Sequence, residues 1–305
     1  MPIVPAAPPQ TVTPGGGFDY VTVDPLRRRV YAAHATGLMI ADADSGKVLG
    51  VVNVGPMAGV AVDPQTGHVY TGNSRSRSVS EVDPQAQRIL RTVNVDGPVD
   101  AIAYDAALHR IYADEDDGTR IFVIDTTTFK QIATVMLPGH KPEYIQVDPE
   151  THNVYQNITS DDPAVSSIAV IDPHSLTVVR SIPTPMLKSN HPLQYDARDR
   201  ALLVVGENNV FAVYDRDGKL LHQVHYPNRV DQCSWDASRG WLACAGSGIT
   251  LYSYDGASDP KLLATLALPA GMHTNAIDAK TGTIWAVWGN RATGAAAVQG
   301  FTYTP

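Results

Sequence analysis

The sequence predicts an all-β protein, a seven-bladed β-propeller with four antiparallel strands in each blade. Three features indicate this fold: a repeat of about forty residues, four short strand-like segments in each repeat, and an incomplete last repeat that the start of the chain can complete. The repeats run through the whole chain without a linker. We therefore expect residues 1–305 to form a single domain, with residues 1–14 as an N-terminal arm and closing strand.

Each strand in a repeat is a short apolar or alternating run, and residues 55–95 show this most clearly. Asp63-Pro64 and Asp83-Pro84 interrupt the runs. Such pairs form tight turns because proline fixes φ and the aspartate carboxylate accepts hydrogen bonds from its own backbone. The four predicted strands of this repeat are Gly59–Val62, His68–Thr71, Ser78–Val82 and Arg88–Val95.

One aspartate ends the first predicted strand of every repeat and gives the period. The spacings between successive copies are 39, 42, 43, 48, 40 and 42 residues. Seven first strands predict seven blades. The seven aspartates are Asp24, Asp63, Asp105, Asp148, Asp196, Asp236 and Asp278.

The last repeat lacks a fourth strand after the segment Ala295–Tyr303. Near the start of the chain, Gln10–Thr13 is β-prone and belongs to no other repeat. We predict that this segment pairs with the third strand of blade seven and closes the ring, which removes an exposed sheet edge. The preceding Pro2–Pro9 is expected to be an extended arm on the surface.

Composition excludes several classes of protein. The formal net charge of −8 argues against a nucleic-acid partner, whose phosphates require a basic surface. No run of eighteen apolar residues exists, so no membrane span is expected. The expected partner is a small-molecule substrate, and the expected state is a monomer. The Pro-rich start resembles a mature chain from which a leader has been removed, and this predicts a periplasmic or secreted protein.

The two cysteines, Cys233 and Cys244, fall on the first and second predicted strands of blade six. A disulfide between the strands is one interpretation. We favour the other, two buried thiols that act as small apolar residues, because the repeat already supplies a core.

The second and third strands of the repeat carry a recognisable motif. Val69-Tyr70-Thr71-Gly72-Asn73 is followed by Ser78-Val79-Ser80-Glu81-Val82-Asp83, and related forms recur in the neighbouring repeats. These segments resemble the YVTN-type repeat. The resemblance covers nearly the whole chain and implies the propeller fold. The resemblance does not indicate a particular function, because YVTN-type propellers include surface-layer, binding and catalytic proteins.

Functional residues are expected at positions where the repeats depart from the apolar pattern that packing requires. One such position lies five residues before the aspartate that ends each first strand. Strand alternation places this position on the same side as the packing residues, so core packing alone predicts apolar side chains there. Six of the seven positions are ionisable instead, and all lie where an innermost strand begins. We call them the ring positions: Asp19, Ala58, Asp100, Glu143, His191, Asp231 and His273.

Carboxylates and imidazoles converging on the ring axis indicate a divalent metal ion, because like charges repel unless a cation neutralises them. The alternative is a hydrated polar rim around a water-filled channel. The metal ligands are predicted to be Glu143, His191, Asp231 and His273, from four consecutive blades. Zinc, manganese or calcium is expected, and the mixture of imidazole and carboxylate suits zinc or manganese better than calcium. The predicted catalytic residues are Asp19, Asp100 and Glu143.

Five further residues are predicted to bind the substrate around the mouth. His34 and Glu115 lie on the loops between second and third strands, which share a face with the ring positions. His140 and Arg229 precede innermost strands, and Trp288 offers an apolar wall.

The first functional hypothesis is a metal-dependent hydrolase acting on a lactone, ester or phosphotriester. The site plan is similar to that of the lactonase and phosphotriesterase propellers, the gluconolactonase and paraoxonase families. This chain differs from them by its seven blades and two histidines. A lyase that resembles the seven-bladed streptogramin lyases is an alternative. Others are a non-enzymatic propeller that binds a ligand or protein, and a copper redox site to which His34 and His140 contribute.

Overall fold

The computed structural model describes residues 2–290 and 293–304, and these form 29 β-strands in seven antiparallel sheets. Two short strands, β1 (Ile3–Pro5) and β2 (Gln10–Thr11), come first. The seven sheets are the blades of a ring, which confirms the predicted seven-bladed β-propeller. Among the described residues no helix is long and apolar enough to span a membrane.

Blades 1 to 4 each contain four consecutive strands. Blade 1 is β3 (Phe18–Asp24), β4 (Arg29–His34), β5 (Gly37–Asp42) and β6 (Val48–Val52). Blade 2 is β7 (Val60–Val62), β8 (Val69–Asn73), β9 (Ser78–Asp83) and β10 (Arg88–Asn94). Blade 3 is β11 (Val99–Asp105), β12 (Arg110–Glu115), β13 (Arg120–Asp125) and β14 (Lys130–Met136). Blade 4 is β15 (Pro142–Val147), β16 (Val154–Ile158), β17 (Ser167–Asp172) and β18 (Thr177–Pro183).

Blades 5 and 6 follow the same plan, and blade 7 does not. Blade 5 is β19 (Leu193–Asp196), β20 (Ala201–Gly206), β21 (Val210–Asp215) and β22 (Leu220–His225). Blade 6 is β23 (Val230–Asp236), β24 (Trp241–Gly246), β25 (Gly248–Ser253) and β26 (Lys261–Ala267). Blade 7 takes β27 (Met272–Ile277), β28 (Ile284–Asn290) and β29 (Ala295–Tyr303) from the end of the chain.

The start of the chain supplies the outer strand of blade 7. Gln10 pairs with Val298 in β29, as predicted, and Ile3 pairs with Tyr303 farther along the same strand. The outer strand is thus in two pieces, because Pro8 and Pro9 between them have no N–H to donate to the ladder. The Pro-rich segment is more than the expected surface arm, since it contains β1. Met1 lies outside the described residues.

Side chains of this N-terminal segment fill the interfaces of blade 7 with both of its neighbours, blades 6 and 1. Ile3 is 3% exposed and packs among residues of blades 6 and 7. Val12 is 1% exposed and packs among residues of blades 7 and 1. The closing segment therefore contributes apolar burial as well as hydrogen bonds.

The landmark aspartates act as turn residues in every blade. Each accepts a hydrogen bond through Oδ1 from the backbone N–H two residues later, and Asp24 also accepts one from Arg27 N–H. These hydrogen bonds are the local capping that the Asp turns predict. The seven residues are Asp24, Asp63, Asp105, Asp148, Asp196, Asp236 and Asp278.

Arginines on the same turns tie adjacent blades together. Arg27 of blade 1 donates to Gln65 O of blade 2 over 2.9 Å, and Arg239 of blade 6 donates to Ala279 O of blade 7 over 2.8 Å. The guanidinium presents several donors in a fixed plane, which suits neighbouring turn carbonyls. These contacts lie on the face opposite the ring positions, while the first strands of successive blades contact one another around the whole ring.

A β-bulge interrupts the first strand of five blades at its entry. In blade 1 the register shifts between Phe18 and Val21, so that Asp19 lies within the bulge. The same shift occurs around Asp100, Glu143, Asp231 and His273. An extra residue bends the strand and redirects its side chain. This explains how ring positions face the axis although simple alternation predicts the packing side.

Cys233 and Cys244 form a disulfide, so the interpretation as two separate thiols is wrong. The residues are directly opposite each other on β23 and β24, with Cα atoms 4.0 Å apart. This register, which the sequence does not specify, places the two sulfur atoms within bonding distance.

Deleting residues 1–14 should lower the thermal midpoint by on the order of 10 °C, because the deletion exposes the β29 edge and removes two buried side chains. Differential scanning calorimetry measures this shift. Deleting residues 1–5 should have a smaller effect, since β2 and Val12 remain. An unchanged midpoint in the longer deletion would contradict the closure of the ring by this segment.

Candidate functional site

All seven ring positions line one cavity of about 740 Å³ at the axis of the ring. We call this cavity the funnel. Its volume lies within the range of small-molecule sites. Each blade contributes its ring residue from the start of its innermost strand, and in five blades a bulge lies at this residue or directly beside it. The predicted metal ligands and the predicted catalytic residues are therefore neighbours, while their roles remain predictions.

Four ring residues form a continuous chain of ion pairs. His191 Nε2 lies 3.2 Å from Glu143 Oε2, and His191 Nδ1 lies 3.2 Å from Asp231 Oδ1. Asp231 Oδ2 lies 3.3 Å from His273 Nδ1. His273 Nε2 lies 2.8 Å from the carbonyl oxygen of Phe18, so the chain crosses from blade 4 through blade 7 to blade 1.

This arrangement shifts the pKa values of both imidazoles. Burial alone would lower the pKa of His191, but the hydrogen bond and charge of Glu143, together with Asp231, raise it to about 9. Burial opposes and Asp231 favours the protonated form of His273, whose pKa is raised. Because both ring nitrogens of His191 face carboxylate oxygens, its ring is an imidazolium at neutral pH.

The carboxylates on the other side of the funnel lack such partners. Burial raises the pKa of Asp19 to about 6, against the opposing effects of His273 and of Gln232 Nε2, which donates to Asp19 Oδ1 over 2.9 Å. The pKa of Asp100 is raised well above its usual range, first by burial and then by the charges of Asp19, Asp114 and Glu143.

Asp114 is a buried carboxylate behind this side of the funnel. It lies on β12 opposite the bulge that contains Asp100. Its Oδ2 accepts a hydrogen bond from Gln156 Nε2 over 3.0 Å, while its buried Oδ1 has no hydrogen-bond partner. Burial and the charge of Glu143 raise its pKa well above the usual range. Carboxyl groups are thus crowded here, and Asp100 and Asp114 have no ion-pair partner among the described residues.

Two tyrosines lie at the inner end of the funnel, and Tyr20 is the one of them that lines it. Tyr20 of blade 1 meets Tyr144 of blade 4 across the axis, with ring centroids 5.3 Å apart. The Tyr144 hydroxyl donates to Cys233 O of blade 6 over 2.6 Å. A second cavity of about 240 Å³ lies beyond the pair, and of the described residues only Tyr20 lines both.

The structure does not bring the five predicted substrate-binding residues into the funnel lining. His34 is fully buried against Phe18. Glu115 is held by Arg120, whose Nε donates over 2.9 Å. His140 lines a separate groove on the rim, and Trp288 packs between blades 6 and 7. Arg229 is exposed, and its charge helps to lower the pKa of Asp231.

Sequence reasoning missed the residues that support the ring positions. Gln232 positions Asp19, and Gln156 links Asp114 to the backbone of Glu143 with a 2.7 Å hydrogen bond to its carbonyl oxygen. Arg75 lines the funnel and has no ion-pair partner among the described residues. Gln232 could have been found, because it directly follows a ring position. Nothing in the sequence pattern indicates the other two.

Within residues 2–290 and 293–304, no three His, Cys, Asp or Glu side chains are already arranged to hold a metal ion. Both histidines of the predicted metal shell are engaged with carboxylates instead. The metal site therefore remains a prediction.

Comparison with known proteins identifies the fold. No protein-family model and no curated protein matches the chain. A chain of Kuenenia stuttgartiensis hydrazine synthase superposes with a TM-score of 0.79 at 17% identity, covering 94% of this chain and 96% of that one. The β-propeller domain of Myceliophteria thermophila Cps50 (Swd1) gives 0.77 at 14% identity, covering 99% and 100%. The RRP9 WD40 repeats give 0.81 at 11% identity, covering 98% and 100%.

At these identities the similarity shows the propeller fold alone. The resemblance to YVTN-type repeats and to lactonase propellers therefore stays a prediction.

Replacing His191 by Gln should flatten the dependence of stability on pH in a chelating buffer. A raised imidazole pKa stabilises the folded state fully below about pH 6.5, and this stabilisation is lost as the pH rises to about 9. The wild type should lose on the order of 3 kcal/mol over this interval through His191. Urea denaturation at both ends measures it. The control His174→Gln, at an exposed turn, should keep the wild-type slope, and an equal slope in His191→Gln would contradict the ion-pair chain.

Proposed function

We propose that the funnel is the active site of a hydrolase that acts on a small lactone, ester or phosphotriester with the help of a divalent cation. One observation carries this proposal. Ionisable side chains from six of seven blades converge on a single cavity of about 740 Å³, where the pKa of Asp100 is raised and that of Asp231 is lowered. Oppositely perturbed groups in one cleft are typical of acid–base sites.

The donor chemistry on one side of the funnel fits a cation. Asp100, Glu143 and Asp114 repel one another, and Asp114 Oδ1 is buried without a partner. Asp100 and Glu143 would hold the ion through carboxylate oxygens. An all-oxygen shell favours calcium or manganese over zinc. His191 does not fit as a ligand in its present form, because a protonated imidazole has no free lone pair. When bound, such an ion polarises a carbonyl or phosphoryl oxygen.

Other ionisable groups of the funnel would transfer the protons in this reaction. Asp19, positioned by Gln232, is the base that takes a proton from the attacking water. The His191 imidazolium lies between Glu143 and Asp231 and donates a proton to the leaving oxygen. Phe18 O and Asp231 fix the orientation of His273, which keeps Asp231 ionised and directed at His191. The base and the acid therefore come from opposite sides of the cavity.

We further propose that the protein works in an oxidising compartment, the periplasm or the exterior. The disulfide between Cys233 and Cys244 supports this, because structural disulfides are rare in the reducing cytosol.

Asp19→Asn and Asp100→Asn separate the two roles. Both changes keep the size of the side chain and remove its charge. Asp19→Asn should lower turnover by about 100-fold or more while the cation content is retained, whereas Asp100→Asn should lose both. Turnover is measured on a panel of lactones, aryl esters and phosphotriesters with zinc, manganese and calcium supplied in turn. Elemental analysis gives the cation content.

Asp217→Asn is the matched control, since Asp217 lies on an exposed turn of the opposite face and should change neither quantity. Incorporation of oxygen from labelled water distinguishes hydrolysis from elimination by a lyase. If no substrate and cation combination exceeds the buffer blank in the wild type, the hydrolase proposal is wrong and the funnel is a binding site.

A further inference from the structure

One stretch of the funnel wall is apolar, although Ser74 and Arg75 of blade 2 also line the cavity. Blade 2 contributes Pro56, Met57 and Ala58, and Phe18 of blade 1 lies beside them. We call these four residues the apolar wall. Ala58 is the single ring position that is not ionisable. Its backbone N–H donates to Gly72 O over 2.9 Å and its carbonyl accepts from Tyr20 N–H over 3.3 Å, so the group left to face the cavity is a methyl.

The apolar wall lies across the funnel from the ion-pair chain. In a ring of seven blades, blades 5 and 6 are farthest from blade 2, and these two carry His191 and Asp231. Met57, Ala58 and Phe18 are between 5% and 6% exposed and line the cavity, while Met57 and Phe18 also pack in the cores between blades. The funnel is thus amphipathic across its width, with proton-transfer groups on one side and hydrocarbon on the other.

We propose that the apolar wall binds an alkyl or aryl group of the substrate, so that the funnel selects amphipathic esters or lactones over polyhydroxylated ones. This inference rests on the proposed function, because it takes the funnel as the substrate site. A hydrocarbon group against Met57 and Ala58 directs the polar end of the ligand toward His191 and Asp231. A sugar lactone in the same orientation would place hydroxyl groups against the hydrocarbon of Met57 and Ala58, which offers them no hydrogen bond.

Binding of unreactive ligands tests the wall without requiring catalysis. The probe is N-phenyl-1-naphthylamine, a neutral apolar fluorophore, displaced from the full-length protein by a series of 2-alkanones of increasing chain length. In the wild type each added CH2 should tighten binding about fourfold. Ala58→Asp should abolish this dependence on chain length, because a carboxylate replaces the methyl. The fold should accept this change, since four other blades carry a carboxylate at the same position.

Two further variants keep the test decisive if Ala58→Asp folds poorly. Met57→Gln removes hydrocarbon at nearly constant volume and should weaken the chain-length dependence without adding charge. Ala86→Asp, on an exposed turn of the same blade at the opposite face, is the matched control and should behave as the wild type. Wild-type affinities that do not change with chain length, or an unchanged dependence in both wall variants, would overturn the inference.

The turnover of p-nitrophenyl esters of increasing acyl length separates this inference from the proposed function. Chain-length dependence in ketone binding without any turnover supports the apolar wall and refutes the hydrolase. Turnover without chain-length dependence in either assay supports the hydrolase and refutes the apolar wall.

Discussion

The pairing of β1 and β2 with β29 is the interaction on which the rest of the molecule depends. It joins residues from the two ends of the chain within one sheet, so the cyclic arrangement of blades is held by a ladder of hydrogen bonds and by two buried side chains, Ile3 and Val12. Each blade contributes its ring residue to the lining of the funnel. Its geometry therefore depends on the closed ring, and an opening between blades 7 and 1 would separate His273 from Phe18.

Burial of charge is the second constraint, and the funnel meets it differently on its two sides. On one side His191 and His273 neutralise Glu143 and Asp231 through short ion pairs. On the other, Asp100 and Asp114 are neutralised only by protonation or by a ligand, since burial and mutual repulsion raise their pKa values. Such a cluster costs stability in an empty protein. That cost is consistent with a functional role for these carboxylates rather than a structural one.

The sequence was sufficient for the architecture because each blade repeats the same local chemistry. An aspartate that caps its own turn recurs at nearly constant spacing, and the same reasoning located the ring positions five residues earlier. The sequence pattern does not predict contacts that depend on strand register or on side-chain direction. The Cys233–Cys244 bond depends on strand register, and the ion pairs of His191 depend on how far the bulges turn the side chains. His34 and Trp288 lie in the expected parts of the fold, but their direction is set by packing against Phe18 and Met272 respectively.

The contact between Tyr20 and Tyr144 places two aromatic rings across the axis, where the funnel meets the second cavity. Passage between the two cavities therefore runs past Tyr20, the described residue that lines both. A molecule in the funnel that does not displace this ring has to leave through the loop face by which it entered. Entry of one molecule and departure of another then use the same opening.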